Sequence, residues 1–106
     1  PPATPGGRPP HLWLDTGRSL YDLFGFEWTL LRLGDAPPDV SEFQRAATRI
    51  GAELKIVGIA EPEALDLYGA PLALIRPDQI VAWRGTSDTD PEQMMAAVTG
   101  WQGDAE

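Results

Sequence analysis

The stretch "LYGAPLALIRPDQIVAWRG" (Leu67–Gly85) holds two short apolar runs, PLALIR at 71–76 and QIVAWR at 79–84. Each is rich in Leu, Ile and Val and is bounded by turn-forming residues, so each reads as a strand. Only Pro77 and Asp78 separate them, which makes the pair an antiparallel hairpin. Pro77 is pre-set in φ for the first central position of a type I turn. A three-residue hairpin loop then needs a residue in the left-handed region, and that position falls on Gln79. A glutamine there is expected to cost roughly 1–2 kcal/mol relative to glycine.

Moving upstream, EPEALDLY (61–68) reads as a helix with Pro62 early, where a missing N–H is harmless, and with Leu65, Leu67 and Tyr68 on its apolar side. ELKIVGI (53–59) is a strand. A helix over 39–50 is predicted from Val40, Phe43, Ala46, Ala47 and Ile50, which share one face, with Asp39 and Glu42 as a D-x-x-E cap and Gly51 as its stop. WTLLRL (28–33) is a buried strand. Ser19 opens a short helix over 19–24 that carries Leu20, Leu23 and Phe24 inward, and HLWLD (11–15) is read as a short edge strand. Downstream, DPEQMMAAVTGW starts a last helix with Asp90 as cap and Pro91 at the first position. Met94, Ala97, Val98 and Trp101 are assigned to its inner face, the two Met as core filler.

The order is β-α-β-α-β-β-α after a short N-terminal helix. The strand–helix–strand unit wants a right-handed crossover and a parallel pair, whereas the hairpin is antiparallel. One mixed four-stranded sheet of order 2-1-3-4 satisfies both, with helices on its two faces. This three-layer α/β/α sandwich is similar to the thioredoxin fold. Pro71 stands where that fold carries a cis-proline, and the isomer of the Ala70–Pro71 bond stays open. Residues 1–11 lack periodicity, hold five prolines, and read as an extended or mobile linker from an upstream domain. The domain proper is assigned to 12–102 and a tail to 103–106.

Composition excludes several functions. The net charge of −8, from 16 acids and 8 bases, repels phosphate backbones and anionic lipid, so neither nucleic acid nor membrane is an expected partner. Zero Cys removes disulfides, thiolate metal sites and thiol redox chemistry. A single histidine, His11, cannot build a metal centre alone. With no apolar run of about 20 residues and no leader pattern, the chain is expected to be cytoplasmic.

In a thioredoxin the thiol site would follow the first strand. That place reads GDAPPD (34–39), which carries no nucleophile. Asp35 and Asp39 could be imagined as a carboxylate pair, but a loop acid and a helix cap is the simpler assignment. No residue set combines a nucleophile, a base and an orienting group.

Four segments, "PGGRPPHLWL", "GRSLYDLFG", "TLLRLG" and "LYGAPLALIRPDQIVAWRG", resemble the C-terminal domain of FAD-dependent aromatic-ring hydroxylases. These are group A flavin monooxygenases of the aromatic polyketide hydroxylase, rifampicin monooxygenase and phenol hydroxylase type. One departure is "FGFEWTLL", where Glu27 replaces the usual glycine and Trp28 a phenylalanine, a change expected to reshape the local turn only. The resemblance implies that FAD and NAD(P)H belong to upstream domains, since no glycine-rich dinucleotide motif occurs here. The chain itself would then have no catalytic, cofactor-binding or metal-binding residue and would serve a structural, inter-domain or subunit-contact role, homo-oligomerisation included. Arg8 and His11 match the P-G-x-R-x-P-H motif of that family, and Trp13 lies beside them. These three are the candidate inter-domain contacts. The alternative is an independent protein-interaction module that binds a partner along a sheet edge.

Overall fold

The computed structural model describes residues 5–35 and 38–100. Strands β1 (Trp28–Leu33), β2 (Leu54–Ile59), β3 (Leu72–Ile75) and β4 (Val81–Gly85) form one sheet of order β2-β1-β3-β4. β1 and β2 are parallel, and the β1–β3 and β3–β4 pairs are antiparallel. Helices α1 (Ser41–Arg49), α2 (Pro62–Tyr68) and α3 (Pro91–Thr99) and a 3-10 turn at Leu20–Leu23 cover it. The thioredoxin-like order expected from the sequence is therefore the observed one.

Strand alternation sorts the core into two layers. Ile56, Leu30, Leu74 and Trp83 are cross-strand neighbours, and they pack with Phe43, Ala46 and Ala47 of α1 and Met94 and Met95 of α3. Leu31, Leu33, Val57, Ile59, Ala73 and Ile75 point to the opposite face, under Ala64 and Tyr68 of α2 and Leu14 and Leu20. β3 is buried on both faces, as a central strand should be. Among the described residues Thr29 is the one side chain in the polar or charged class that is buried, and its hydroxyl accepts a 2.9 Å bond from the Gly25 N–H.

Local chemistry fixes the element ends. Asp90 caps α3 by accepting from the N–H groups of Glu92 and Gln93. Gly69 ends α2 at φ 74°, a conformation that glycine adopts without strain. Gln79 has φ 67°, as the hairpin demands, and Arg76 and Ile80 close the turn with a 2.8 Å backbone bond. Gly85 is required for a different reason: a Cβ there would lie 2.6 Å from the Trp83 ring, which folds back over it.

Several expectations are corrected. The Ala70–Pro71 bond, which the sequence left open, is trans, since no described peptide bond is cis. Asp39 is not the cap of α1. Val40 holds that position, and Asp39 accepts one residue earlier from the Ser41 N–H and hydroxyl. In α2 the buried pair is Ala64 and Tyr68 at i and i+4, which leaves Leu65 exposed. In α3 Met94 and Met95 are both buried, as the core-filler reading expected, but Ala97 is exposed, so the inner face is rotated away from position 97. HLWLD adds no strand to the sheet, because its one bridge joins Trp13 to Ser19. The inward placement of Trp101 and the tail at 103–106 lie outside the described residues, as do Ala36 and Pro37 of the GDAPPD loop.

Candidate inter-domain surface

Residues 6–14 form an extended strap across the α2 side of the molecule. Prolines cannot build a ladder of their own, so the carbonyls of Pro9 and Pro10 need donors from elsewhere. Both tyrosines of the chain supply them: the Tyr21 hydroxyl donates to the Pro9 carbonyl at 2.7 Å and the Tyr68 hydroxyl to the Pro10 carbonyl at 2.7 Å. Further back, the Gly6 N–H donates to the Val81 carbonyl at 2.8 Å, and the Val81 N–H donates to Gly7 at 2.9 Å. Further on, the Leu20 N–H donates to Leu12 and the Leu14 N–H to Arg18, both at 2.9 Å. Of the segment read as an extended or mobile linker, residues 6–11 are bonded to the domain along their length, and residues 1–4 lie outside the described residues. Gly6 and Gly7, within the segment read as a linker, bond to Val81 at the outer edge of β4.

On this strap His11 and Trp13 come together. Their rings meet edge-on at 4.9 Å, and His11 meets Tyr21 at 4.8 Å. His11 Nε2 shares a 2.7 Å hydrogen bond with the Ser19 hydroxyl, which also accepts from the Tyr21 N–H and so caps the 3-10 turn. The row continues from Tyr21 to Phe24 at 5.6 Å. Trp13 remains 68% exposed although Leu12 and Leu14 on either side are turned inward. Arg8 is exposed and makes no ion pair among the described residues. The structure therefore joins His11 to Trp13 and leaves Arg8 exposed on the same strap.

The sequence reading did not single out Tyr21, and it gave Tyr68 only a packing role. A signal existed: a buried tyrosine hydroxyl needs an acceptor, and a proline pair offers carbonyls without partners. Tyr68 is fully buried, and burial, helped by the nearby Tyr21, pushes its phenol well above the usual range. It stays a neutral donor. The Tyr68 backbone carbonyl accepts from Arg84 Nη1 at 2.8 Å. Arg84, partly exposed, is thus bonded to the last residue of α2, where a cation also suits the helix dipole.

The loop after β1 has another character. Arg32 Nε donates to the Pro38 carbonyl at 3.0 Å. The Ser41 hydroxyl, then the Ser41 N–H, hold Asp39 below the usual carboxylate range. Asp35 is exposed. These contacts make Asp39 a brace for the start of α1.

The sequence matches the family profile described as "Aromatic-ring hydroxylase, C-terminal" over residues 2–105. The chain belongs to this family. It is 37% identical over 90 residues to the FAD-dependent monooxygenase opdD of Penicillium oxalicum, covering 80% of this chain and 17% of that protein. It is 38% identical over 103 residues to aklavinone 12-hydroxylase RdmE of Streptomyces purpurascens, covering 78% of this chain and 18% of that one. Among solved structures, the substrate-free rebeccamycin biosynthetic enzyme RebC superposes with a TM-score of 0.85 at 36% identity, over 96% of this chain and 20% of that one. A ternary complex of aklavinone-11 hydroxylase with FAD and aklavinone superposes at 0.70 with 30% identity, over 90% of this chain and 22% of the other. The chain thus spans about a fifth of the length of these relatives. None of the described helices is long and apolar enough to cross a membrane.

Proposed function

We propose that this chain is the non-catalytic C-terminal domain of an FAD- and NAD(P)H-dependent aromatic hydroxylase. The whole protein would insert one oxygen atom of O2 into an aromatic ring, and this domain would pack against the flavin and substrate domains. The family match and the flavin monooxygenases among its relatives support this. The observation that carries the inter-domain role is the strap, which presents Trp13 and Arg8 outward from a segment bonded to the domain on either side of them.

The donor set does not suit a flavin dinucleotide. Its pyrophosphate wants free N–H groups at a helix start. Here the first turn of each helix carries a carboxylate: Glu42 in α1, Glu63 in α2 and Glu92 in α3. Asp90 additionally occupies N–H groups of α3. FAD is therefore assigned to the upstream part. Titrating the purified chain with FAD is expected to give no saturable change in the flavin spectrum, and saturable binding would overturn the assignment. The full-length polypeptide is expected to purify with FAD and to oxidise NAD(P)H faster when a phenolic compound is added.

A further inference from the structure

On the reading that a flavin-bearing part precedes this domain, we propose that Tyr21 and Tyr68 are positioning residues whose hydroxyls clasp consecutive proline carbonyls. The clasp makes residues 6–14 a rigid strap that holds the upstream part in one orientation, facing Arg8 and Trp13. The two donors come from different elements, the 3-10 turn and the end of α2, and they meet adjacent carbonyls at the same 2.7 Å. Backbone bonds at Gly6, Gly7, Leu12 and Leu14 flank the clasp on both sides. Between these anchors Pro9 is buried, whereas the side chains of Arg8 and Trp13 are exposed.

An unattached proline-rich tether would let the two parts reorient, and any docking would then have to order it. A strap already ordered removes that ordering entropy, so Trp13 meets its partner preorganised. The occupant is the flavin-bearing part of the same polypeptide, because the strap is the segment through which that part would be joined.

The test is the backbone order of the strap in the native state, which global stability does not set. In the unaltered chain, NMR order parameters for residues 6–13 are expected near those of the sheet, about 0.85. In the Tyr21→Phe/Tyr68→Phe variant they are expected to fall below about 0.6, with β1 and β3 unchanged. Both rings are kept, so the apolar layer stays filled. Tyr21→Phe alone, at the more exposed site, serves if the pair does not fold. A strap that stays rigid without the hydroxyls, or one already mobile in the unaltered chain, overturns the proposal. In the full-length polypeptide the same pair is expected to broaden the distance distribution from small-angle scattering. An unchanged distribution overturns the orienting role. A full-length polypeptide that holds no flavin sinks the functional reading instead and leaves the order-parameter result standing.

Discussion

The two faces of the sheet are roofed by different means. One is covered by α1 and α3, whose Phe43, Ala46, Ala47, Met94 and Met95 pack on Leu30, Leu72 and Leu74. The other is covered by α2, a single 3-10 turn and the strap, whose backbone bonds at Gly6, Gly7, Leu12 and Leu14 are joined by side-chain hydroxyls of Tyr21, Tyr68 and Ser19. The first face is stabilised by area removed from water, which is large and non-directional. The second adds directional bonds that fix where an irregular chain runs. Regular helices can slide or be repacked with modest loss. A strap without a ladder has a defined path only if named donors hold it. The exposed aromatic residue of the strap, Trp13, stands on that second face.

The largest effect that separates the faces is expected at Phe43. It is buried and packs against Trp83 with ring centroids 5.8 Å apart and the planes tilted by 36°. Phe43→Ala should destabilise the chain by about 3–5 kcal/mol through lost transfer energy and a residual cavity, measured as a lower midpoint in urea unfolding. Order in the strap should be unaffected in whatever fraction remains folded.

Tyr68→Phe is the matched test on the other face. The ring stays, but the Pro10 carbonyl loses its donor, with an expected loss of about 1–2 kcal/mol. It carries a pH signature as well. Burial raises the folded pKa above the ordinary value of about 10, so the neutral phenol is the folded form. Its contribution is complete below pH ~10 and is lost as the pH rises further, because the unfolded phenol ionises first. The unaltered chain should therefore lose stability more steeply above pH 10 than the Phe variant. Parallel slopes would show that Tyr68 is not the buried donor described.

The contrast between faces also explains what was legible in the sequence. The α1 face was readable because Phe43, Ala46 and Ala47 recur at helical spacing, and a strict period needs no tertiary knowledge. β1 ran from Trp28 to Leu33 as expected because an apolar run between glycines leaves little freedom. The errors share one cause. The exposure of Ala97, expected inward, and the burial of Ala64 in place of Leu65 are rotations of an inner face set by which neighbour a helix meets, and spacing alone does not contain that. The strap was hidden for a stronger reason. Its bonds link Pro9 to Tyr21 and Pro10 to Tyr68, 12 and 58 residues apart, and no local pattern encodes such pairs. Arg8 and His11 were singled out through family resemblance and Trp13 through its place beside them, whereas the bonds of the two tyrosines became visible only in the fold.

A smaller effect is expected at the hairpin, which belongs to neither roof. Gln79 sits at φ 67°. Gln79→Gly relieves roughly 1–2 kcal/mol of left-handed strain, offset in part by the larger unfolded-state entropy of glycine. A net gain of about 0.5–1 kcal/mol follows, visible as a higher denaturation midpoint with an unchanged urea slope. A loss would mean that the Gln79 side chain makes a contact worth more than the strain.

The smallest stability effect is expected at Trp13, and it bears most directly on function. A tryptophan 68% exposed contributes little to the core, so Trp13→Ala should change the stability of this chain by no more than about 0.5 kcal/mol. Large aromatic residues that contribute little to their own fold are frequent anchors at interfaces, where truncation often lowers affinity more than tenfold. On the proposed reading that a flavin-bearing part precedes this domain, the same substitution in the full-length polypeptide should loosen the association of the two parts, measured as faster proteolytic release of an intact C-terminal fragment. Fragment release at an unchanged rate, with the stability of the isolated chain also unchanged, would leave Trp13 without a role on either count. The contact would then have to be sought beyond the strap, for instance at Phe26, which is 98% exposed just ahead of β1.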